Sequence, residues 1–421
     1  MSTSEVDVRR AKAARSWSLD SELVLICAGY PIGIPGGADQ TFPYKPHPQY
    51  RWLTDRKREG GVLAFDPQDG WTLFEPALAE QELIWGGGDP PVGRSLEELD
   101  GWLAARKGRP LAALGANDGL YATDQELSLR LHIELDHARR PKDALEVDLL
   151  RRSAAATAAG YAAIAEYIRP GRSERQIQVE FEAAIARAGA DGPGYATIVG
   201  AGPNSAVFHF TPGSRQVADG ELVLVDAGAE VDGYVTDVTR TFPGGGSFSS
   251  DQAWLYGIVR ESLDQATAAC LVGAEWLDVH AVAARVMGSG LRDAGILKCS
   301  PEEALTSGAI GLFFPHGIGH MVGLGVRDAG GPLPNRNVIR EVGGARIRMD
   351  LPLEAGYVVT IEPGLYFVPA LLNDAKRRER FANQVNWAAV EPWIGGSGIR
   401  IEDNVLVTET GPIVLTDSIP K

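Results

Sequence analysis

The sequence predicts an α+β protein of two domains: a smaller α/β domain over residues 1–140, and a larger one over 141–421 with helices around a curved sheet. Three observations carry that expectation. At 421 residues the chain exceeds the usual extent of one core, and its 44% hydrophobic content suffices to fill two. The stretch His137-Ala-Arg-Arg-Pro141-Lys142 is polar, contains proline and precedes a long Ala-rich segment, which marks the boundary. Beyond it, helical segments flank two blocks of strand formers, one from Tyr195 to Phe242 and one from Leu312 to the end.

In the first domain Leu23-Val-Leu-Ile26, Gly61-Val-Leu-Ala-Phe65 and Trp71-Thr-Leu-Phe74 read as strands. Leu96 to Lys107 reads as a helix, and Leu111 to Leu114 as a further strand. His132, Asp136 and His137 lie close together without a supporting turn, so they decorate a helix or loop. The second domain opens with a helix from about Ala144 to Ile168, broken at Pro170-Gly171. Ser173 with Gln176 and Ser249 with Gln252 each form a capping-box pattern, the first opening a helix that ends near Gly189. A helix spans Trp276 to Ala294 and stops at Gly295; Ser300-Pro301-Glu302-Glu303 opens a short one with proline first. Gly86-Gly-Gly88 and Gly244-Gly-Gly246 read as turns, since neither has the strand-to-helix setting of a phosphate cradle.

The net charge of -15 opposes nucleic acid or an anionic membrane as partner. Cys27, Cys270 and Cys299 are too few and too scattered for a disulfide framework or a thiolate zinc site. The segment before Trp17 lacks an apolar run of signal-peptide length, and no stretch approaches a membrane span, so a cytoplasmic location is expected.

Chemistry concentrates in the second domain. Asp226 and Asp237 flank Asp232-Gly233, a strong hairpin signal, within Leu222-Val-Leu-Val-Asp226 and Tyr234-Val-Thr-Asp237. Across that turn the two aspartates face each other, or are diagonal neighbours if Asp232-Gly233 forms the tip; both placements share one sheet face. Like charges so close call for a cation between them, the alternative being two solvent-facing acids on an ordinary hairpin. His316-Gly-Ile-Gly-His320 sets two histidines around glycines that permit close backbone approach. Val358-Val-Thr-Ile-Glu362 and Gly398-Ile-Arg-Ile-Glu402 are apolar strands that each end in an acid, with Arg400 on the face of Glu402 to orient it. Four carboxylates and one imidazole form a hard, mostly oxygen ligand set, suited to manganese-like divalent ions.

On the motifs Asp226-Ala-Gly, Asp237-Val-Thr-Arg, His316-Gly-Ile-Gly-His320, Glu362-Pro-Gly-Leu-Tyr366 and Gly398-Ile-Arg-Ile-Glu402-Asp403, the sequence resembles the pita-bread metallopeptidases, the family of prolidase and aminopeptidase P. The resemblance implies a C-terminal pita-bread domain behind a smaller creatinase-like one, and two divalent metal ions, Mn2+ foremost, with Zn2+ or Co2+ as alternatives. It implies that Asp226 binds the first ion, that Asp237 and Glu402 bridge both, and that His320 and Glu362 bind the second. Glu362 is also the implied proton shuttle. His209, His316 and Arg400 join it as catalytic candidates, and Arg327, Arg348 and Tyr366 as substrate-binding ones. Arg348 falls where prolidases read the free carboxylate of a dipeptide; a surface arginine is the alternative. The family usually shows Gly-Leu-x-Val-His-Asp, but here Gly323-Leu-Gly-Val-Arg327-Asp328 has arginine in place of histidine. That arginine can donate to the scissile carbonyl or pair with Asp328. The implied activity is hydrolysis of the Xaa-Pro imide bond in dipeptides. Aminopeptidase P action on longer peptides is the runner-up, and a metal-free creatinase-like or peptide-binding relative ranks below both. A homodimer and small peptides with proline in second position are the implied partners.

Overall fold

A computed structural model describes residues 4–85, 90–117, 119–333, 335–336 and 340–421. The turn expected at Gly86–Gly88 lies outside the described residues. Contacts divide the chain into two compact units, Met1–Arg139 and Arg140–Lys421.

The first unit runs α1 (Glu5–Trp17), β1 (Leu23–Cys27), α2 (Pro48–Thr54), β2 (Val62–Asp66), β3 (Gly70–Glu75), α3 (Glu80–Trp85), β4 (Arg94–Ser95), α4 (Leu99–Ala104), β5 (Leu111–Gly115) and α5 (Gln125–Arg139). Its sheet has the order β4-β3-β2-β1-β5, with β1 parallel to β5 and antiparallel to β2. Every residue of β1 and β2 is buried, as continuous apolar runs require. The helix expected over Leu96–Lys107 begins as a 3-10 turn, Leu96–Glu98, and ends at Ala104, since Gly101 weakens it and Gly108 takes a left-handed φ of 91°. His132 and Asp136 sit on α5, where the Gln49 side-chain amide meets His132 Nδ1 at 2.9 Å and Asp136 Oδ1 at 3.0 Å. Gln49 also accepts from the Gly115 amide, so this cluster fastens α2 to α5 and β5.

The second unit opens with α6 (Ala144–Ala165) and α7 (Glu174–Arg187), continues through β6 (Gly192–Pro193), β7 (Ile198–Ala201), β8 (Leu222–Asp226), β9 (Ala229–Val231), β10 (Tyr234–Val235) and β11 (Thr239–Pro243), then α8 (Ser250–Ala268), α9 (Trp276–Asp293) and α10 (Pro301–Ser307). The strands β12 (Arg340–Val342), β13 (Ala345–Ile347), β14 (Val358–Ile361), β15 (Gly364–Leu365), β16 (Ile399–Arg400), β17 (Asp403–Leu406) and β18 (Ile413–Val414) complete it. Reciprocal capping boxes open α7 at Ser173–Gln176 and α8 at Ser249–Gln252. The block from Leu312 to the end, expected to be strands, also holds short helices over Pro369–Leu372, Ala375–Arg380 and Trp387–Val390, the first two opened by Pro369 and by an Asp374 cap.

Two cores lie behind the strands. Tyr161, Phe181 and Ile185 from α6 and α7 pack with Val223 and Val225 of β8. Leu263, Met287 and Leu291 from α8 and α9 pack with Val359, Ile361 and Val405. The helix pairs thus cover outer faces and leave inner faces free for polar side chains.

Candidate metal centre

The hairpin turns through Asp232 and Gly233, with φ of 54° and 87°, the pair of left-handed residues that a two-residue turn of matching twist requires. Val231 pairs with Tyr234, and the same register continues to Asp226 opposite Thr239. Asp226 and Asp237 are therefore diagonal neighbours on one face, the second of the two placements open from sequence. Helix α6 supports this from behind. The Tyr161 hydroxyl donates to the carbonyl oxygens of Val225 at 3.1 Å and Val238 at 2.6 Å, each next to one aspartate or its partner.

The segment His316–His320 runs beside β14. His320 N donates to Thr360 Oγ1 at 3.0 Å, and Thr360 N to the His320 carbonyl at 2.8 Å. Gly319 is needed there, because a Cβ would strike the Thr360 carbonyl oxygen. Glu362 follows β14 directly, and its amide donates to the Ile318 carbonyl at 2.8 Å. Glu402 lies between β16 and β17, with its amide on the Thr239 carbonyl at 3.0 Å, so it is pinned to the strand that faces Asp226.

These placements converge. Ligand atoms of Asp237, His320 and Glu402 lie within 4.8 Å of one another, and all three residues are buried. His320 Nε2 is 3.2 Å from Asp237 Oδ2 and 3.8 Å from Glu362 Oε1. Asp226 sits at the edge of this group, accepting from the Tyr195 hydroxyl at 2.7 Å and from Arg400 at 2.5 Å. Arg400 also donates to Tyr366 at 2.9 Å and to Thr239 Oγ1 at 3.1 Å, while Thr239 donates to Glu402 Oε2 at 2.7 Å. Arg400 thus grips Asp226 and reaches Glu402 through Thr239, whereas its strand face alone pointed to Glu402.

His316 donates from Nδ1 to the Gly317 carbonyl at 2.9 Å, which leaves Nε2 to accept from the Tyr366 hydroxyl at 3.2 Å. Tyr366 is fully buried behind it. Phe208 stands edge-on to both rings, with centroids 5.4 Å and 4.7 Å away. His209, Arg327 and Arg348 are exposed. Partial burial, then the charges of Arg400, Arg327 and Arg348, hold His209 below its ordinary range. Asp328 pairs with Lys142 at 2.8 Å and accepts from the amides of Leu324 and Ala329, so both its carboxylate oxygens are engaged.

Sequence reasoning missed four supporting residues: Tyr195, Thr239, Thr360 and Asn404, whose side chain brackets the Asp237 backbone at 3.0 Å and 2.6 Å. Thr239 was accessible, since it alternates with Asp237 on the same strand face. Tyr195 carries no motif or periodic signal.

The electrostatics match a cation site. Burial pushes Asp226 up to about 7 against the pull of Arg400, and raises Glu362 as well. Burial, then the charges of Asp237 and Glu362, lifts Glu402 well above its ordinary range. Burial acts the same way on Asp237, but the bond and charge of His320 leave it lowered. Hydrogen bonding at His320 is more telling. Its Nδ1 lies 2.8 Å from the Met321 carbonyl and must donate, so once the imidazole is neutral its Nε2 presents a lone pair toward two carboxylates. Three lone-pair donors aimed at one point repel unless a cation joins them. A carbonyl behind the far nitrogen is also the usual support of a metal-binding imidazole. The residues present therefore fit a divalent ion.

Residues 148–409 match the metallopeptidase family M24. A probable Xaa-Pro aminopeptidase of Tuber melanosporum (strain Mel28) is 28% identical over 397 residues, spanning 90% of this chain and 86% of the relative. The Xaa-Pro aminopeptidase of Escherichia coli (strain K12) is 39% identical over 276 residues, 66% of this chain and 56% of the relative. The zinc-substituted aminopeptidase P of Escherichia coli in complex with product superposes with a TM-score of 0.82 at 30% identity, covering 100% of this chain and 96% of that one. Among the described residues no helix is long and apolar enough to cross a membrane. The fold is the α+β pita-bread architecture, and the chain belongs to metallopeptidase family M24.

Proposed function

We propose that the chain is an aminopeptidase P, which removes the N-terminal residue from peptides with proline second. Two divalent ions, manganese by the hardness of the donors, are held by Asp226, Asp237, His320, Glu362 and Glu402. The observation that carries the reading is the convergence of His320 Nε2 with the carboxylates of Asp237 and Glu362. That relatives are named Xaa-Pro aminopeptidase supports this activity over the dipeptidase expected from sequence.

When bound, such ions lower the pKa of water so that hydroxide exists at neutral pH, and they draw charge from the scissile carbonyl. Glu362 accepts a proton at its carboxylate and returns it to the departing prolyl nitrogen, which must be protonated to leave. Its burial raises its proton affinity, the direction such a carrier needs. Arg400 and Tyr195 hold Asp226 from both oxygens, and Tyr366 keeps His316 in one tautomer. A prolyl nitrogen has no hydrogen to donate, so the site needs a ring pocket, and the rings of Phe208 and His316 supply an aromatic wall. Arg327 and His209 are the donors that face the carbonyl.

The dipeptidase reading keeps one support: Arg348 follows β13, is exposed, and adds its charge at His209, so it is available to pair with the free carboxylate of a dipeptide. Rates on an Xaa-Pro-Xaa tripeptide and on the matching Xaa-Pro dipeptide separate the two. Faster cleavage of the tripeptide is expected; cleavage of the dipeptide alone would overturn the aminopeptidase reading.

A further inference from the structure

Arg327 stands on the loop 323–329, and its action on a substrate requires that loop to be fixed. Two sets of contacts hold it. On one side Val235 N donates to the Gly323 carbonyl and Gly325 N to the Gly233 carbonyl, both at 2.9 Å, tying the loop to the hairpin of Asp226 and Asp237. On the other, Arg140 and Lys142 grip it. Arg140 Nε donates to the Ala329 carbonyl at 2.8 Å, and Lys142 Nζ pairs with Asp328 Oδ2 at 2.8 Å.

The ion pair is sealed. The Lys142 side chain is 0% exposed and that of Asp328 2%. The ammonium also donates to the Arg140 carbonyl at 3.0 Å, and the Lys142 amide donates to Gly356 at 2.8 Å. Gly323 makes room for the pair, since a Cβ there would strike both the Asp328 carboxylate and the Lys142 stem. Removing two charges from water is costly, and an apolar pair of similar volume often stabilises a fold as well or better. What a buried pair adds is a fixed geometry. Arg327 is adjacent to Asp328 and lies on the loop that the Gly323 and Gly325 bonds tie to the hairpin carrying Asp226 and Asp237.

We infer that Lys142 is a positioning residue: through Asp328 it fixes the loop so that Arg327 is held beside the carboxylate cluster, facing the scissile carbonyl. This rests on the proposed cleavage before proline, and deepens it by assigning the orientation of Arg327 to a residue outside the ligand motifs.

The test is a double-mutant comparison with an Xaa-Pro-Xaa tripeptide. Lys142→Met combined with Asp328→Asn removes both charges and leaves neither stranded. In the parent this pair of changes is expected to lower kcat about 10- to 100-fold, the scale on which a displacement of about 1 Å acts. In an Arg327→Ala background the same changes should cost no more than about twofold, since the group they orient is gone. An equal loss in both backgrounds overturns the inference, because the pair would then serve the fold alone. Should the combined variant fail to fold, Lys142→Arg takes its place; a loss that persists without Arg327 again overturns it. A parent chain that cleaves neither tripeptide nor dipeptide would overturn the proposed function and this inference with it, whereas a parent that cleaves normally isolates the inference.

Discussion

Replacing Tyr195 by Phe removes a single oxygen from the support of Asp226. That hydroxyl donates to Asp226 Oδ1 at 2.7 Å, while Arg400 holds the other oxygen. A hydrogen bond to a charged group contributes about 1.5–3 kcal/mol, which corresponds to about 10- to 100-fold in an equilibrium constant. The same range describes the loss of a partner behind a metal ligand. The bond favours the ionised carboxylate, which is also the form that binds a cation. Without it Asp226 holds its proton more strongly, so an incoming ion competes with that proton over a wider range of pH. Manganese affinity of the Tyr195→Phe variant should therefore fall about 10- to 100-fold. The deficit should deepen as pH drops through about 7, where burial places the Asp226 carboxyl before metal binds. Calorimetric titration of metal-depleted parent and variant at two pH values on either side of that point gives both quantities. An unchanged affinity, or a deficit that grows toward high pH, would refute the role given to Tyr195.

Other expectations concern stability and substrate. His280 is buried, and desolvation lowers it from 6.5 to about 4. The unfolded chain takes up this proton more readily than the folded one, so stability is full above about 6.5. It falls by about 3 kcal/mol as pH drops to about 4. Denaturant unfolding across that window should show a shallower slope for His280→Gln; parallel slopes would count against it. Arg348→Ala should raise KM about tenfold or more for Xaa-Pro dipeptides and far less for tripeptides, since only the former place a carboxylate one residue past the cleaved bond. Equal effects on both lengths would remove Arg348 from carboxylate binding. Arg240 is 1% exposed and donates to the Glu402 carbonyl at 2.6 Å and to Asp403 Oδ1 at 2.9 Å. Arg240→Met should cost about 3 kcal/mol or more by stranding part of the Asp403 charge; a wild-type unfolding midpoint would show that Lys421, whose Nζ lies 2.5 Å from Asp403 Oδ2, compensates.

Much of the centre was legible because its signals are local. The Asp232-Gly233 turn fixes a register, and the register alone puts Asp226 and Asp237 on one face. Ser173, Ser249 and Ser300 announced their helices through residues three positions on. The same signature, Ser4 with Asp7, opens α1, yet that segment was read only for a leader peptide, and the helix went unnoticed. The helices within the strand block from Leu312 to the end escape notice because, at 4, 6 and 4 residues, they are too short to show a 3.6-residue period. Strand alternation placed Arg400 on the face of Glu402, but alternation says nothing of which neighbouring strand a long side chain meets, and Asp226 is the nearer carboxylate. Tyr195 and Lys142 act on residues remote in sequence, and only the folded chain brings such partners together. The preference for a dipeptidase leans on the place of Arg348 in the chain, and a place in the chain alone does not tell what a side chain binds.

Metal analysis of protein purified without chelator, paired with its rate on an Xaa-Pro-Xaa peptide before and after demetallation, tests the central claim most directly. Divalent metal approaching two ions per chain is expected, with cleavage lost on its removal and regained with manganese. A chain that carries no divalent metal yet cleaves the peptide, or one that cleaves undiminished after complete demetallation, would contradict it.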